Sequence, residues 1–445
     1  MEKKIIAIII VAIMVVAGAG AALVLGMGSN SDGDSMLTHR LLTMGNVYSD
    51  DTLDSKDVRV LQAVLDGKTT ITIGGNEIDL TDADLRKYCD VNNDGFVNGT
   101  DIDYLNDIIA GKATRLFYEN AKGEIAGVDV PMNNLLIMFR RVGTTVAMVG
   151  ASDLVKGFIS DLAPGGNYGF LNFTGTNVGS GSSPDYELIK QMDKDLASSG
   201  GVTLIADATG SAADLEKNVG SGIDVVRMPV TEMGKSENGV VTLGYLLAYN
   251  NDKHDQITDK LNTWIDWNDS AKNKVYDAVS KLKDSDKKSC IIAMYNASAA
   301  SATINVRGPG VSEYEYTLQC GGNNLTTASG SYSVSDFNEY LLSVDPEYAF
   351  VMQQEVYLLK NKVSAETTYN ELMQNISKNY DGKVGVFSQF FGTGPGYILS
   401  LMYYASVLVP ELKNTFDITK EYKYFMGELV GNKELAEIPA FVVIE

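Results

Sequence analysis

Short apolar runs alternate with amphipathic stretches along most of the chain, from about residue 114 to the end. The runs have the length and β-branched content of buried strands, and the stretches between them space their apolar positions as helices do. This alternation predicts an α/β fold built on mainly parallel sheets. The predicted strands are residues 135–138, 202–206, 224–230, 290–295, 348–352 and 384–387, and the predicted helices include residues 185–198 and 336–343.

One long segment, residues 244–286, contains no strand pattern. Leu246, Ile257, Leu261 and later apolar positions recur at spacings that mostly fit a helix, and charged residues fill the gaps. The pattern therefore predicts two lobes joined by a long helix. Lobe 1 is expected over residues 114–243, the linker helix over 244–286 and lobe 2 over 287–445.

The chain begins with an uncharged apolar run, residues 5–27, that is long enough to span a bilayer. Lysines precede this run and aspartates follow it, which places the bulk of the chain outside the cell. We expect residues 1–35 to form an N-terminal transmembrane signal anchor and a linker, so that the protein is held at the cell membrane. Small residues at positions 17–22 leave cleavage of the segment open.

A 12-residue segment occurs twice after this run. Residues 57–68 align without gaps with residues 101–112, at an offset of 44 positions, and the second copy places apolar residues on one helical face. Such self-similarity indicates an internal duplication of a loop–helix unit.

The loop before the second copy has the oxygen spacing of a calcium-binding loop. Oxygen side chains occupy positions 1, 3, 5, 9 and 12, Gly95 occupies position 6, and a backbone carbonyl is expected at position 7. The predicted calcium ligands are Asp90, Asn92, Asp94, Phe96, Asn98 and Asp101. The alternative is a chance turn rich in Asp and Asn.

The loop before the first copy fits calcium less well. Tyr48 holds position 3 and Asp51 replaces the glycine, so this site is expected to be weak or empty. The predicted ligands here are Asn46, Asp50, Thr52, Asp54 and Asp57.

With its two loops and its repeat, the region of residues 36–113 resembles a type I dockerin, a calcium-folded module that docks onto cohesin domains. The resemblance implies a small all-α domain, Ca²⁺ as its structural ion and a cohesin-bearing protein as a partner.

The charge and composition of the chain exclude several functions. The formal net charge of −21 disfavours binding to nucleic acid and to anionic membrane surfaces. Only two histidines are present, so a His-rich metal cage cannot be built and a metal chelate is favoured over a naked transition metal. No catalytic triad, zinc signature or P-loop is visible, and we do not expect an enzyme. Cys290 and Cys320 could form a disulfide or remain buried thiols.

Five phrases in residues 115–445 are similar to those of the class III substrate-binding proteins of ABC importers. They occupy residues 135–157, 178–189, 261–267, 321–324 and 337–347. Their order and spacing carry the resemblance, because each phrase alone is weak. The family binds ferric siderophores, haem, cobalamin or metal ions between two lobes joined by one helix. The resemblance therefore implies an extracellular receptor that captures a metal chelate and delivers it to an ABC permease.

The first predicted cleft loop carries Arg140 and Arg141, where the family often has small residues. A guanidinium presents a fork of donors to carboxylate or phosphate. Thr144 and Thr145 are expected to start the next helix, where free backbone N–H groups also favour anions. These residues predict an anionic group on the ligand, with surface ion pairs as the alternative for the arginines. The other predicted ligand contacts are Phe139, Asn296, Phe390, Phe391 and Tyr397.

Glu187 and Glu339 lie in matching phrases of the two lobes. The resemblance implies that they pair with basic residues of the permease, and ordinary surface glutamates are the alternative. A different function also fits the sequence: a cell-surface scaffold or adhesion protein assembled by dockerin–cohesin binding without solute transport. A dockerin-bearing enzyme would need paired carboxylates in a cleft, and none stands out.

Overall fold

The computed structural model describes residues 39–296, 303–376, 378–442 and 444. The predicted anchor and linker, residues 1–35, lie outside this range. Within it, no helix combines the length and the apolar character that a membrane span requires.

The α-helices are α1 (Ser55–Leu65), α2 (Ala83–Lys87), α3 (Gly99–Ile109), α4 (Arg140–Met148), α5 (Tyr186–Leu196), α6 (Leu215–Val219), α7 (Ser236–Ala248), α8 (His254–Val279), α9 (Ser312–Gln319), α10 (Phe337–Val344), α11 (Glu355–Leu359), α12 (Ala365–Met373), α13 (Ile398–Leu408), α14 (Ile418–Tyr424) and α15 (Lys433–Ala436). The strands are β1 (Thr70–Ile73), β2 (Asn76–Asp79), β3 (Arg115–Glu119), β4 (Ile125–Asp129), β5 (Leu135–Ile137), β6 (Val155–Phe158), β7 (Thr176–Asn177), β8 (Gly179–Ser180), β9 (Ser183–Pro184), β10 (Thr203–Ala206), β11 (Asp224–Arg227), β12 (Lys288–Asn296), β13 (Thr303–Arg307), β14 (Gly322–Asn324), β15 (Ser331–Val334), β16 (Tyr348–Gln353) and β17 (Lys383–Ser388).

Lobe 1 is built on a five-stranded sheet in the order β11-β10-β5-β6-β7. All of its strand pairs are parallel. The central strands β5 and β10 are buried along their whole length, as expected for a parallel sheet covered by helices on both faces. Each predicted strand of this lobe coincides with an observed one.

Lobe 2 is built on a mixed sheet in the order β15-β13-β12-β16-β17, with β14 paired to the start of β12. The strands β12-β16-β17 are parallel as predicted, whereas β13 and β15 add two antiparallel strands on the other side of β12. Side chains along β12 alternate between two apolar clusters: Ile291 and Ala293 enter a core confined to lobe 2, and Cys290 and Ile292 enter the larger core.

The predicted linker helix, residues 244–286, is observed as the shorter α8 (His254–Val279), 26 residues long. The first residues of the predicted range belong to the buried helix α7, which ends at Ala248. At 1.5 Å per residue α8 measures about 39 Å. Its buried residues, including Ile257, Trp264 and Val275, join the main core. The helix therefore connects the lobes and packs against them.

The sequence duplication corresponds to a duplication in the structure. Helices α1 and α3 begin and end 44 positions apart, and each has a capping box at its first turn. Asp57 and Asp101, both fully buried, are equivalent residues that accept backbone N–H groups from their own loops. The two loop–helix units pack together through α1 and α3.

The N-terminal unit is not all-α, contrary to the sequence expectation. An antiparallel hairpin, β1–β2, lies between the repeats. Every residue of β1 is β-branched, and the two-residue turn that follows is Gly74-Gly75, both with positive φ. That turn geometry matches the twist of paired strands, which explains why a hairpin forms there.

The N-terminal unit packs directly on lobe 1. The backbone N–H groups of Arg40 and Leu42 donate to Asn238 and Thr242 of α7, each at 2.8 Å. The Tyr249 hydroxyl donates to the Ile108 carbonyl at 3.0 Å. One continuous core spans the unit, lobe 1, α8 and one face of the lobe 2 sheet. The unit is thus part of the body of the protein.

Candidate functional site

The carboxyl ends of the lobe 1 strands open towards lobe 2. Parallel α/β sheets bind ligands at this edge, because loops from several strands converge there. Lobe 1 contributes Phe139 after β5, Asp207 after β10 and residues 228–231 after β11. Lobe 2 contributes Glu355 after β16 and residues 389–397 after β17.

The side chain of Arg141 extends from α4 of lobe 1 to lobe 2. It is buried, and its Nη2 lies 2.8 Å from the Glu355 Oε2. Its Nη1 donates to the Phe390 carbonyl and, at 2.7 Å, to the Thr393 carbonyl. Its charge and most of its donors are therefore satisfied by lobe 2.

Arg140 converges on the same carboxylate. Its Nε lies 3.0 Å from the Glu355 Oε1 as an ion pair whose N–H is not aimed at that oxygen, and its Nη1 lies 3.3 Å from Asp161. The Tyr168 hydroxyl donates to the Glu355 Oε2 at 2.8 Å. We call Arg140, Arg141, Tyr168 and Glu355 the interlobe clamp. In this arrangement both arginines are paired within the chain and face no open anion site.

Thr144 and Thr145 do not start a helix, contrary to expectation. Helix α4 begins at Arg140, so both threonines lie one turn inside it. They are fully buried, and their hydroxyls donate back to the carbonyls of Arg140 and Arg141. The extended Phe139 is the N-cap residue, and its side chain makes no capping hydrogen bond. The helix therefore starts four residues earlier, and its threonine backbones present no free N–H groups.

The predicted aromatic contacts of lobe 2 lie in an aromatic cluster. Phe390 packs on Tyr168 and Phe170 of lobe 1, with ring centroids 5.8 and 6.0 Å apart. Phe391 is fully buried and packs on Tyr422, Phe425 and Phe441. Phe390 and Phe391 are therefore both packed in the buried core.

Tyr397 takes part in a polar network that the sequence did not reveal. Its hydroxyl donates to the Glu237 Oε1 at 2.5 Å, and Lys272 of α8 pairs with the Glu237 Oε2 at 2.5 Å. The Lys272 side chain is buried. Tyr397 is buried as well, and its own burial raises its pKa well above the ordinary value. Glu237 is distant in sequence from both partners, so no local pattern marks the network. It ties α7 and α8 to lobe 2.

A cavity of about 430 Å³ opens between the lobes. Lobe 1 lines it with Asp207, Ala208, Thr209, Thr231, Glu232 and Met233, and lobe 2 with Gly310, Ser312 and Glu315. Its volume lies in the range of small-molecule sites. We call it the cleft cavity.

Asp207 forms the buried wall of the cleft cavity. It is 1 % exposed, and the Thr231 hydroxyl donates to its Oδ2 at 3.0 Å. Burial raises the pKa of this carboxyl, and hydrogen bonds from Thr209 and Thr231 oppose the rise. Asp207 comes directly after β10, and a polar residue directly after a buried strand is a signal that sequence reasoning can use.

A larger cavity, about 670 Å³, lies outside the cleft, between the first loop of the N-terminal unit and α7–α8. Its apolar wall includes Tyr245, Leu261 and Ile265, and its rim includes Asp50, Asp54 and Lys56. The carboxyl ends of the strands do not face this larger cavity. Because α/β sheets bind ligands at those ends, we take the cleft cavity as the candidate functional site.

The remaining predicted contacts lie apart from the cleft cavity. Asn296 ends β12, next to residues 297–302, which fall outside the described range. Glu187 and Glu339 both lie in the first turn of a helix capped by an aspartate, one in each lobe, and both are exposed. Their carboxylates are therefore available on the surface.

The second loop of the N-terminal unit wraps its side-chain oxygens inward. Asp90 accepts the N–H groups of Asp94 and Gly95 at 3.0 and 2.9 Å, and Asn92 also accepts that of Asp94 at 3.0 Å. Each carboxylate offers about four lone-pair sites, so these bonds leave oxygens for a cation. In the described part of the chain, no group of three or more His, Cys, Asp and Glu side chains is placed to hold a metal. A site here would depend on amide and backbone oxygens as well.

The first loop is arranged differently, because it contains a lysine. The Lys56 ammonium contacts the Asp50 carboxylate, lies 3.5 Å from Asp54 and lies 4.5 Å from the centre of the Tyr48 ring. Asn46 uses its amide to donate to backbone carbonyls. The positive charge beside these carboxylates is therefore supplied by the chain itself.

Cys290 and Cys320 are free and buried. Burial raises the pKa of Cys290 to about 12, which leaves its thiol protonated and unreactive at neutral pH. Of the two possibilities left open by the sequence, the structure has buried thiols.

No family model matches the chain. A curated relative, the petrobactin-binding protein YclQ of Bacillus subtilis (strain 168), is 22 % identical over 263 residues, which cover 58 % of this chain and 76 % of that protein.

Solved structures share the fold over most of their length. The TroA-like periplasmic binding protein FepB from Veillonella parvula aligns with a TM-score of 0.56 at 12 % identity, over 74 % of this chain and 99 % of that one. The chain has the class III periplasmic solute-binding protein fold. The molybdate-binding protein MolA of Haemophilus influenzae aligns with a TM-score of 0.50 at 16 % identity, over 71 % of this chain and 97 % of that one. These are binding proteins, and the prediction that the chain is not an enzyme is confirmed.

Proposed function

We propose that this protein is the extracellular receptor of an ABC importer, which captures a metal chelate between its lobes and delivers it to the permease. The observation that carries the proposal is the cleft cavity, located where the two lobes of a solute-binding fold meet. A petrobactin-binding relative favours a chelate of the ferric siderophore type, with haem or a corrinoid as the other chelates of this kind. Glu187 and Glu339 would face basic residues of the permease, one from each lobe.

Native mass spectrometry of residues 36–445 tests the proposal, with corrinoids, haem and ferric siderophores offered together in the presence of calcium. The receptor function predicts one chelate retained per chain, with a Kd of about 1 µM or lower, which is about −8 kcal/mol. Release of every compound in the mixture would contradict it.

We further propose that the N-terminal unit is a dockerin-like module with one calcium ion, held by the second loop. The duplicated loop–helix units support this, as do the inward oxygens of Asp90, Asn92 and Asp94. Phe96 and Val97, exposed side chains of this loop, would offer an apolar contact to a cohesin-bearing partner. The sequence pattern of residues 1–35 supports a membrane anchor, with the bulk of the chain outside the cell.

A second function, a cell-surface scaffold without solute transport, is favoured by the interlobe clamp. Glu355, both arginines and Phe390 fill the centre of the cleft with the chain's own side chains. A scaffold would bind a cohesin in pull-down experiments and retain none of the chelates. A receptor would retain a chelate whether or not a cohesin is bound.

A further inference from the structure

The charges of the cleft point to a ligand opposite in sign to the one that the sequence suggests. The two arginines that predicted an anionic ligand are paired with Glu355 and Asp161. Two positive charges thus face two negative charges, and the interlobe clamp together with Asp161 contributes no net charge to the cleft.

The cleft cavity carries three carboxylates, two from lobe 1 and one from lobe 2. Glu232 has a cationic partner, Lys235, at 2.7 Å. Asp207 is bonded by hydroxyl and backbone groups, and Glu315 accepts the backbone N–H of Gly310 at 3.1 Å. Among the described residues, no ion pair neutralises Asp207 or Glu315.

The nearest buried cation cannot neutralise Asp207. Arg227 is fully buried and donates to the backbone carbonyl of Asp207 at 2.8 Å, but its guanidinium pairs with Glu216 at 2.5 Å. A carboxylate that is 1 % exposed and has no counter-ion is costly unless a cation completes it. The cavity between the lobes leaves room for that cation to come from the ligand.

We propose that the cleft cavity selects a cationic ligand, a chelate with a protonated amine or another positive group that lies between Asp207 of lobe 1 and Glu315 of lobe 2. This inference rests on the proposed receptor function and specifies its substrate class. Thr209 and Thr231 would add hydroxyl contacts around the same group. The net charge of −21 would also draw such a ligand towards the protein at low salt.

A series of chelates with one iron core and three charges tests the inference. Ferrioxamine B carries a pendant ammonium, its N-acetyl derivative is neutral at that position, and its N-succinyl derivative is anionic. Quenching of the intrinsic Trp and Tyr fluorescence of residues 36–445 gives Kd for each. We expect the ammonium form to bind about tenfold more tightly than the neutral form, and the succinyl form to bind most weakly, since one close charge pair is worth about a factor of ten.

Two charge-removing variants locate the preference. Glu315→Gln and Asp207→Asn should each reduce the ammonium preference about threefold or more, with little change in the affinity for the neutral form. Glu187→Gln removes the same charge from an exposed helix and serves as the matched control. Glu315 is a partly exposed residue of lobe 2, so its variant keeps the test decisive if Asp207→Asn fails to fold.

The outcomes separate the inference from the function. Equal or tighter binding of the neutral or anionic form overturns the cationic inference and leaves the receptor function standing. If none of the three forms binds, the test becomes the charge of the chelate that the protein retains in the native mass spectrometry experiment. An anionic chelate retained there overturns the cationic inference. A panel from which nothing is retained overturns the receptor function, and the inference with it.

Discussion

The buried carboxylate of Glu355, in lobe 2, is contacted by Arg140, Arg141 and Tyr168 of lobe 1. Its neighbours in sequence show no sign of this, because Arg141 lies 214 positions away. Removing one partner of a buried ion pair leaves the other charge desolvated and unpaired, which usually costs more than the pair contributed.

We therefore expect Glu355→Gln to lower the free energy of unfolding by about 3 kcal/mol, measured by urea denaturation. Glu347→Gln is the matched control. It breaks an exposed pair with Lys288, at 3.0 Å, and should cost less than about 1 kcal/mol. Equal losses in the two variants would show that the interlobe clamp does not stabilise the fold.

His39 is a second residue whose role depends on distant partners. Its Nε2 lies 3.2 Å from Asp51 in the first loop, and its Nδ1 lies 3.6 Å from Asp269 on α8. Burial lowers the pKa of His39, but Asp269 and Asp51 raise it more, to about 9 from an ordinary 6.5. The imidazolium thus joins the N-terminal unit to the linker helix at neutral pH.

Since the pKa of His39 is raised on folding, its stabilisation is full below about pH 6.5 and is lost as the pH rises to about 9. The melting temperature of the unmodified protein should exceed that of His39→Gln at pH 6. This difference should shrink steadily to near zero above pH 9. A difference that stays constant across this range would contradict the proposed charge.

At the scale of elements, the two loop–helix units differ in how their loops are completed. Asp50 and Asp94 occupy equivalent positions, 44 residues apart, but Asp50 faces the Lys56 ammonium. The residue equivalent to Lys56 in the second unit is Thr100, which carries no charge. We therefore propose that a cation from solution completes only the second loop.

We expect native mass spectrometry of residues 36–445 to show one bound calcium ion per chain. Asp94→Asn should remove this ion, or weaken its binding at least about tenfold, because one carboxylate ligand is lost. Asp50→Asn, the matched change in the first loop, should leave the count at one. Two ions in the unmodified protein would show that Lys56 does not replace the first.

At the scale of the whole molecule, the lobes are connected by more than a hinge. Trp264 of α8 donates to the Pro395 carbonyl at 2.9 Å, and Asn432 of lobe 2 donates to the Phe170 carbonyl of lobe 1 at 3.0 Å. Large hinge closure requires a few flexible residues between rigid bodies, whereas here a continuous helix packs on both lobes.

We therefore expect ligand binding to change the radius of gyration by less than about 0.5 Å, measured by small-angle X-ray scattering of the protein with and without a retained chelate. A decrease of about 1 Å or more would indicate closure of the lobes. Glu355→Gln, which weakens the interlobe clamp, is the variant expected to show the larger change.

Sequence patterns predict the elements that depend on neighbouring residues and miss those that depend on distant ones. All six predicted strands and α8 are observed, because buried parallel strands and a long amphipathic helix are apolar patterns readable within ten to thirty residues. Strands β13 and β15 were not predicted. The edge strand β15 has only four residues and no fully buried side chain, so its apolar pattern is weak. The four-residue error at Thr144 arose because Phe139, an atypical N-cap residue, gives no start signal for α4.

The sequence by itself determined the layers of the two lobes, the linker helix, the duplicated loop–helix unit and the oxygen spacing of the second loop. These features depend on residues close together in the chain. Only the tertiary structure decided which charges remain free, because the partners of Arg140, Arg141 and Asp50 could not be recognised from the pattern around them. Folding brings Glu355 to the arginines and Lys56 into the first loop, and it places Asp207 and Glu315 in the same cavity. The arginines in the sequence predicted a basic cleft, whereas the charges without an ion-pair partner in the cavity are acidic.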